Sequence, residues 1–168
     1  MLHRLRQRST DEGGFTLIEL LVVILIIGIL AAIAIPTFLN QKGKAYDASA
    51  KEVARTAETT AETFSTDHNG EYNNAGKAFE AKELVAYESG LQECGAKKVS
   101  EQTNACFLSA TGGKETYEVK ARAANSGDIF TIKREAGGEI KRSCESGTAA
   151  KDEGSGKNSC SGAETGSW

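Results

Sequence analysis

The sequence predicts an α+β fold in which a long N-terminal α-helix packs on a C-terminal antiparallel β-meander held by disulfides. Three observations predict it. An uninterrupted apolar run from Leu20 to Ile35 leads into a helical pattern with one narrow apolar stripe. Alternating strand patterns separated by turn residues follow in the C-terminal half. All four cysteines lie after the apolar run, which is typical of disulfides in an exported region.

The composition excludes some classes of protein. The chain has 168 residues, enough for one modest domain, and a formal net charge of -3. A nucleic-acid-binding domain normally carries a strong positive balance, so DNA binding is possible but not indicated. We find no phosphate loop, nucleophile motif or metal-ligand cluster, and therefore predict neither an enzyme nor a cofactor or metal site.

The first 14 residues are short, polar and basic, and they end in Gly13-Gly14 directly before the apolar segment. A secretory signal peptide would instead be cut after its apolar region, at small residues such as those at 31, 32 and 34. Two features argue against that alternative: the apolar run is longer than the usual signal core, and an amphipathic helix follows it without a break.

Residues Phe15 to Ile35 are long enough to cross a bilayer, since a helix rises about 1.5 Å per residue and the hydrocarbon core is about 30 Å thick. The leader arginines favour a cytoplasmic N-terminus and an exported C-terminal region, although Lys42 and Lys44 weaken that bias. We expect a single-pass membrane protein, N-in and C-out.

Glu19 is the exception within this apolar segment. A carboxylate at the centre of a bilayer costs about 2.5–3.5 kcal/mol on insertion scales. It could be a shallow group that reaches headgroup water. Alternatively it pairs with a cation, and cleavage before Phe15 would create one, the new α-amine, in the same chain or in a neighbouring chain.

The stretch from Gly13 to Asn40, which includes Gly14-Phe15-Thr16-Leu17-Ile18-Glu19 and the run to Pro36, resembles the N-terminal segment of type IV pilins and related pseudopilins. The resemblance is weak after Asn40. It implies that a prepilin peptidase, which requires Gly14, cuts between Gly14 and Phe15 and methylates the new amine of Phe15. It also implies that Glu19 neutralises the N-terminal amine of an adjacent subunit during assembly.

The resemblance further implies a division of the chain and a set of partners. The divisions are a prepilin leader (1–14), an apolar transmembrane and assembly helix (15–36), an amphipathic helix (37–66) and a globular head (67–168). The partners are membrane lipid before assembly, the prepilin peptidase, an inner-membrane assembly platform and other copies of the chain. The product would be a homo-oligomeric helical filament outside the cell.

Pro36 interrupts what would otherwise be one helix from Phe15 to about Ser65. Proline removes a backbone hydrogen bond and clashes with the preceding turn, so we expect a kink. With Gly28 upstream, residues 28–36 are the weakest part of the helix by propensity. In the pilin family this region bends and can lose helix in the fibre; a static kink is the alternative.

Beyond Pro36 the helix shows one apolar stripe, and charged residues fill its other faces; these are Asp47, Lys51, Arg55, Glu58 and Glu62. Turn formers end it, with His68 expected to be a solvated turn residue. A short helix over 82–88 comes next, then strands over 116–123, 128–134 and 139–143, with turns at 125–127 and 136–138. Cys106-Phe107-Leu108 is a further strand candidate.

The four cysteines permit three disulfide pairings. We favour Cys94 with Cys106 and Cys144 with Cys160, because each pair closes a short local loop. The region after Glu145 is too poor in apolar residues to order itself, and Cys160 would fasten it. Trp168 could dock on the sheet or be free.

The leading hypothesis is a major pilin-like subunit of a type IV pilus, favoured by the two cysteine pairs and the large C-terminal region. The alternative within the family is a pseudopilin of a type II secretion or competence DNA-uptake apparatus. A membrane-anchored binding protein that does not assemble would leave Gly14, Phe15 and Glu19 unexplained. Adhesion, motility, DNA uptake and electron transfer remain open as roles of the fibre.

Overall fold

The computed structural model describes residues 14–95, 104–124, 126–147, 160, 165–166 and 168. The leader as far as residue 13, and most of the region after Gly147, lie outside the described residues. The chain divides into two compact units, Met1–Thr37 and Phe38–Trp168. Helix α1, Leu17–Asp67, contributes residues to both.

In the first unit, α1 carries bare apolar side chains. The large aliphatic residues from Leu17 to Ile35 are between 47% and 74% exposed. Among the described residues, α1 is the one helix long and apolar enough to cross a membrane. Pro36 lies inside α1, whose helical backbone continues through it. The kink expected at Pro36 stays a prediction.

The second unit adds a small hairpin, a short helix and a sheet to the rest of α1. These elements are β1 Asn73–Asn74, β2 Lys77–Ala78, α2 Ala81–Tyr87, β3 Cys106–Gly112, β4 Tyr117–Arg122, β5 Ile129–Arg134, β6 Ile140–Glu145 and β7 Thr165–Gly166. Strands β3 to β7 form an antiparallel sheet in chain order. The predicted α+β class and meander are confirmed, with element ends shifted by a few residues.

Small side chains on α1 let the sheet pack closely against it. Ala54, Ala57 and Ala61 are fully buried, and they share one cluster with large residues of the inner sheet face. Those sheet residues are Phe107, Tyr117, Val119, Ala121 and Ile132. Their alternation with half-exposed residues along β4 is the period of two expected of a sheet with one buried face.

The expectation that charged residues of α1 fill its solvent faces is wrong for three of them. Asp47 is fully buried and accepts a hydrogen bond from the Ser126 hydroxyl at 3.2 Å. Glu58 and Glu62 instead face the sheet. They accept hydrogen bonds from the guanidinium groups of Arg142, at 3.2 Å, and Arg134, at 3.3 Å.

The sheet supplies the cations that make this arrangement possible. Arg134 and Arg142 both come from the inner face, where they pair with Ile140 and Ile132 on the neighbouring strands. The Tyr72 hydroxyl also donates to Glu62, at 2.8 Å. Burial, and then the Glu62 carboxylate, raise the pKa of Tyr72. These contacts tie α1 to the loop after it as well as to the sheet.

His68 is also placed differently from the expectation of a solvated turn residue. Its ring is half-buried and stacks on Phe64, with ring centroids 3.9 Å apart. Its Nδ1 lies 2.8 Å from the carbonyl oxygen of Phe64. Because the stack covers one ring face, His68 extends the apolar end of α1 as well as occupying the turn.

The disulfides are Cys94–Cys106 and Cys144–Cys160, the local pairing that the loop lengths favour. The first ties the loop after α2 to the start of β3. The second brings Cys160 to β6. Trp168 docks on the sheet, since its indole Nε1 donates to the carbonyl oxygen of Ser143 at 2.8 Å.

Gly112, in β3, is expected to be intolerant of any side chain. A Cβ added there would collide with the carbonyl oxygen of Tyr72 and come within 2.5 Å of the Phe79 ring. Overpacking of this kind typically costs about 1–3 kcal/mol, so Gly112→Ala should lower the free energy of unfolding by roughly that amount. Denaturant unfolding of the full chain in detergent, followed by near-ultraviolet circular dichroism, measures it.

The matched control is Gly137→Ala, in the β5–β6 turn, where an added Cβ meets nothing within 4 Å. Its unfolding midpoint should stay close to that of the parent chain. Equal midpoints for Gly112→Ala and Gly137→Ala would show that the contact of β3 with Tyr72 and Phe79 is loose.

Candidate functional site

The junction expected to be cleaved lies in extended chain immediately before α1. Gly14, Phe15 and Thr16 are not helical, and the Phe15 side chain is 89% exposed. A Cβ added at Gly14 would meet no atom within 4 Å. A requirement for glycine at this position would therefore have to come from a processing enzyme, because nothing around Gly14 in the fold demands it.

Thr16 is the N-cap of α1. Its carbonyl oxygen accepts the first helical hydrogen bond, from the Leu20 N–H at 3.2 Å. Its hydroxyl accepts a hydrogen bond from the Glu19 N–H at 3.2 Å. In return, the Glu19 carboxylate accepts hydrogen bonds from the Thr16 N–H and hydroxyl, each at 2.8 Å. Thr16 and Glu19 thus form a reciprocal capping box.

The capping box gives Glu19 a role that the sequence analysis missed. The signal was present, since Thr16-x-x-Glu19 before an apolar run has the spacing of a capping box. Our sequence analysis treated Glu19 only as a charge in need of a cation. In the uncut chain its carboxylate instead has two donors within its own first turn and lies at the positive end of the helix dipole.

Phe15, the residue that would carry a new amine after cleavage, directly precedes the cap. A cut before Phe15 would therefore create a cation one residue from Thr16, next to a carboxylate that is already held in place. Gly28 and Pro36, the residues expected to weaken the helix, lie farther along α1. The arrangement brings together Phe15, Thr16 and Glu19, and provides an apolar helix after them.

The described residues offer little else that could do chemistry. Within them there is no group of three His, Cys, Asp or Glu side chains placed to hold a metal ion. The polar clusters of the second unit, around Asp47 and around Glu62, are buried between α1 and the sheet. Their hydrogen bonds hold the fold together.

A family model described as a prokaryotic N-terminal methylation motif matches residues 10–35. This stretch contains the Gly14–Phe15 junction, the capping box and most of the apolar helix. The rest of the chain lies outside the match.

Three curated proteins resemble the chain over its N-terminal part. The type IV major pilin protein PilA of Myxococcus xanthus (strain DK1622) is 44% identical over 61 residues, 36% of this chain and 28% of the relative. The type IV major pilin protein PilE1 of Neisseria gonorrhoeae is 36% identical over 78 residues, 45% of this chain and 36% of the relative. The type II secretion system core protein G of Escherichia coli (strain K12) is 51% identical over 39 residues, 23% of this chain and 27% of the relative.

The matched stretches span at most 36% of the length of these relatives. No solved structure matches the chain. The methylation motif, the three relatives and the long helix followed by a disulfide-bonded antiparallel sheet agree with one another. The chain belongs to the family of type IV pilins and type II secretion pseudopilins.

Proposed function

We propose that the chain is the precursor of a major type IV pilus subunit. A prepilin peptidase cuts between Gly14 and Phe15 and methylates the new amine of Phe15. The apolar part of α1 first anchors the subunit in the membrane, with the head outside. An assembly platform in the inner membrane then transfers it into a helical filament of identical subunits, where Glu19 pairs with the N-terminus of a neighbour.

The observation that carries this proposal is the junction itself. Phe15 is exposed and non-helical, and the first helical turn after it holds an acidic residue in a capping box. The aliphatic side chains that follow, from Leu17 to Ile35, have no partner in their own unit, as their exposure of 47–74% indicates. Such a surface is stable in lipid or against the same helix of other subunits, but not in water.

The extent of the matches favours a pilin over a pseudopilin. The two pilin matches cover 61 and 78 residues, whereas the secretion protein matches over 39. Because the apolar helix is shared by both classes, the additional matched residues carry the distinction. A pseudopilin of a type II secretion or competence apparatus is the second candidate, favoured by the 51% identity within those 39 residues.

The two functions predict different locations for the chain. Filaments sheared from the cell surface should contain the chain as their main protein, and a deletion strain should lose those filaments. If the sheared fraction lacks the chain while the deletion stops export of other proteins, the pseudopilin is correct and the pilus proposal is wrong. A complementing copy of the gene serves as the control.

A further inference from the structure

Three kinds of contact fasten the end of the described chain to the rest of the second unit. We use the name strap for Cys160, β7 and Trp168. Cys160 is joined to Cys144 of β6 by a disulfide. Strand β7 pairs with the last two residues of β6. Trp168 donates a hydrogen bond to the carbonyl oxygen of Ser143.

Trp168 lies in a slot with an aromatic wall and two cations. Its indole meets the Phe130 ring edge to face, with centroids 5.6 Å apart. The Lys51 ammonium lies 5.6 Å from the indole centroid, and the Arg55 guanidinium lies 5.8 Å from it. Both are cation–π contacts, and they connect the strap to α1.

The strap completes a core cluster separate from the main one. Its buried members are Ala50, Ala123, Phe130, Cys144 and Cys160, and Trp168 packs against them. Cys144 is fully buried and Cys160 is 6% exposed. In the other disulfide, Cys94 is only half-buried. A thiolate must reach a sulfur atom to reduce a disulfide, so reduction of Cys144–Cys160 requires the strap to lift first.

We propose that the strap is a redox-gated element that opens independently of the rest of the head, with Trp168 shielding the Cys144–Cys160 disulfide. When the strap lifts, a dithiol attacks one sulfur. The S–S bond breaks as a mixed disulfide forms, and the second thiol of the dithiol then closes a new disulfide. Two electrons and two protons pass to Cys144 and Cys160, which become thiols, and the dithiol is oxidised.

Release of the strap changes the surface of the head. The backbone groups of Cys144 and Glu145 that pair with β7 become an open sheet edge, and Phe130 loses the ring that covers it. An open edge beside an exposed aromatic ring favours pairing with another chain. The oxidised strap therefore keeps the head closed, and the main cluster of α1 and the inner sheet face does not depend on it.

The rate of reduction of each disulfide tests the proposal. The full chain in detergent is treated with a small dithiol, free thiols are alkylated at intervals, and the modified cysteines are identified by mass spectrometry. In Trp168→Ala we expect Cys144–Cys160 to be reduced about tenfold faster or more, because the rate follows the population of the open strap. The Cys94–Cys106 disulfide in the same sample should be reduced at the parent rate.

The second disulfide is an internal control against general unfolding. If both disulfides are reduced faster in Trp168→Ala, the strap does not open independently, and the proposal is wrong. An unchanged rate for Cys144–Cys160 would show that Trp168 does not shield it. Trp168→Phe keeps an aromatic ring but lacks the donor to Ser143, so its rate should lie between those of Trp168→Ala and the parent chain.

A second measurement uses the fact that the chain has one tryptophan. In the Cys144→Ala/Cys160→Ala double variant, Trp168 emission should shift to the red while the far-ultraviolet circular dichroism stays that of the parent. The matched Cys94→Ala/Cys106→Ala variant should leave the emission unchanged. Unshifted emission in the first variant, or equal shifts in both, would overturn the proposal.

Discussion

Replacing Glu19 with Gln is expected to lower the yield of surface filaments at least about tenfold, since breaking a buried ion pair typically costs about 3–5 kcal/mol. Gln occupies nearly the same volume and can still serve in a capping box, as Glu and Gln both do at this position. The variant therefore removes the charge and keeps the start of the helix. Densitometry of the sheared filament fraction, normalised to the membrane pool of the chain, measures the effect.

Thr16→Ala is the matched control, because it removes the cap and keeps the carboxylate. Loss of an N-cap costs about 1 kcal/mol, and Glu19 would remain able to meet an amine. We expect Thr16→Ala to assemble better than Glu19→Gln. Parent-level filaments from Glu19→Gln would contradict charge pairing. Equal losses in both variants would assign the effect to the cap.

Gly14→Val is expected to stop processing. The chain would keep its leader, remain in the membrane fraction and form no filaments, because the amine of Phe15 would never be released. The structure separates this effect from misfolding, since a side chain at Gly14 would have open space around it. The mass of the chain extracted from membranes distinguishes the uncut form from the cut form.

Gly28→Ala is the control for Gly14→Val. Its added Cβ also meets nothing within 4 Å, and Gly28 lies outside the junction, within α1. It should be cut normally. If Gly14→Val is cut at the parent rate, then Gly14 is not the residue that the peptidase requires, and the position of the cut must be sought elsewhere.

The sequence predicts best what local patterns determine. The junction, Glu19 and the apolar run are contiguous, so their spacing could be interpreted without a structure. The strands from Tyr117 onward could be predicted because buried and exposed side chains alternate along them. The local disulfide pairs follow from short separations of 12 and 16 residues.

Contacts between distant residues were not predictable in this way. Glu62 and Arg134 are separated by 72 residues, and Glu58 and Arg142 by 84. A glutamate on a helix has the same local pattern whether it faces water or an arginine on a sheet. Asp47 was missed for the same reason, because its partner Ser126 lies in the turn between β4 and β5.

The hairpin of β1 and β2 was missed because its turn lacks the usual residues. Ala75 and Gly76 both have positive φ, 51° and 81°, and Asn or Asp would normally precede the glycine in such a turn. The docking of Trp168 was left open because the residues around it come from α1, β5 and β6. No local pattern connects those three elements.

The mass of the subunit from sheared filaments tests the central claim most directly. The account predicts a chain that begins at Phe15 and carries one methyl group on its α-amine. Fragmentation of the N-terminal peptide would locate that methyl group. A filament subunit that retains the leader, or one cut after the small residues at 31–34 as a secretory signal would be, would contradict the account.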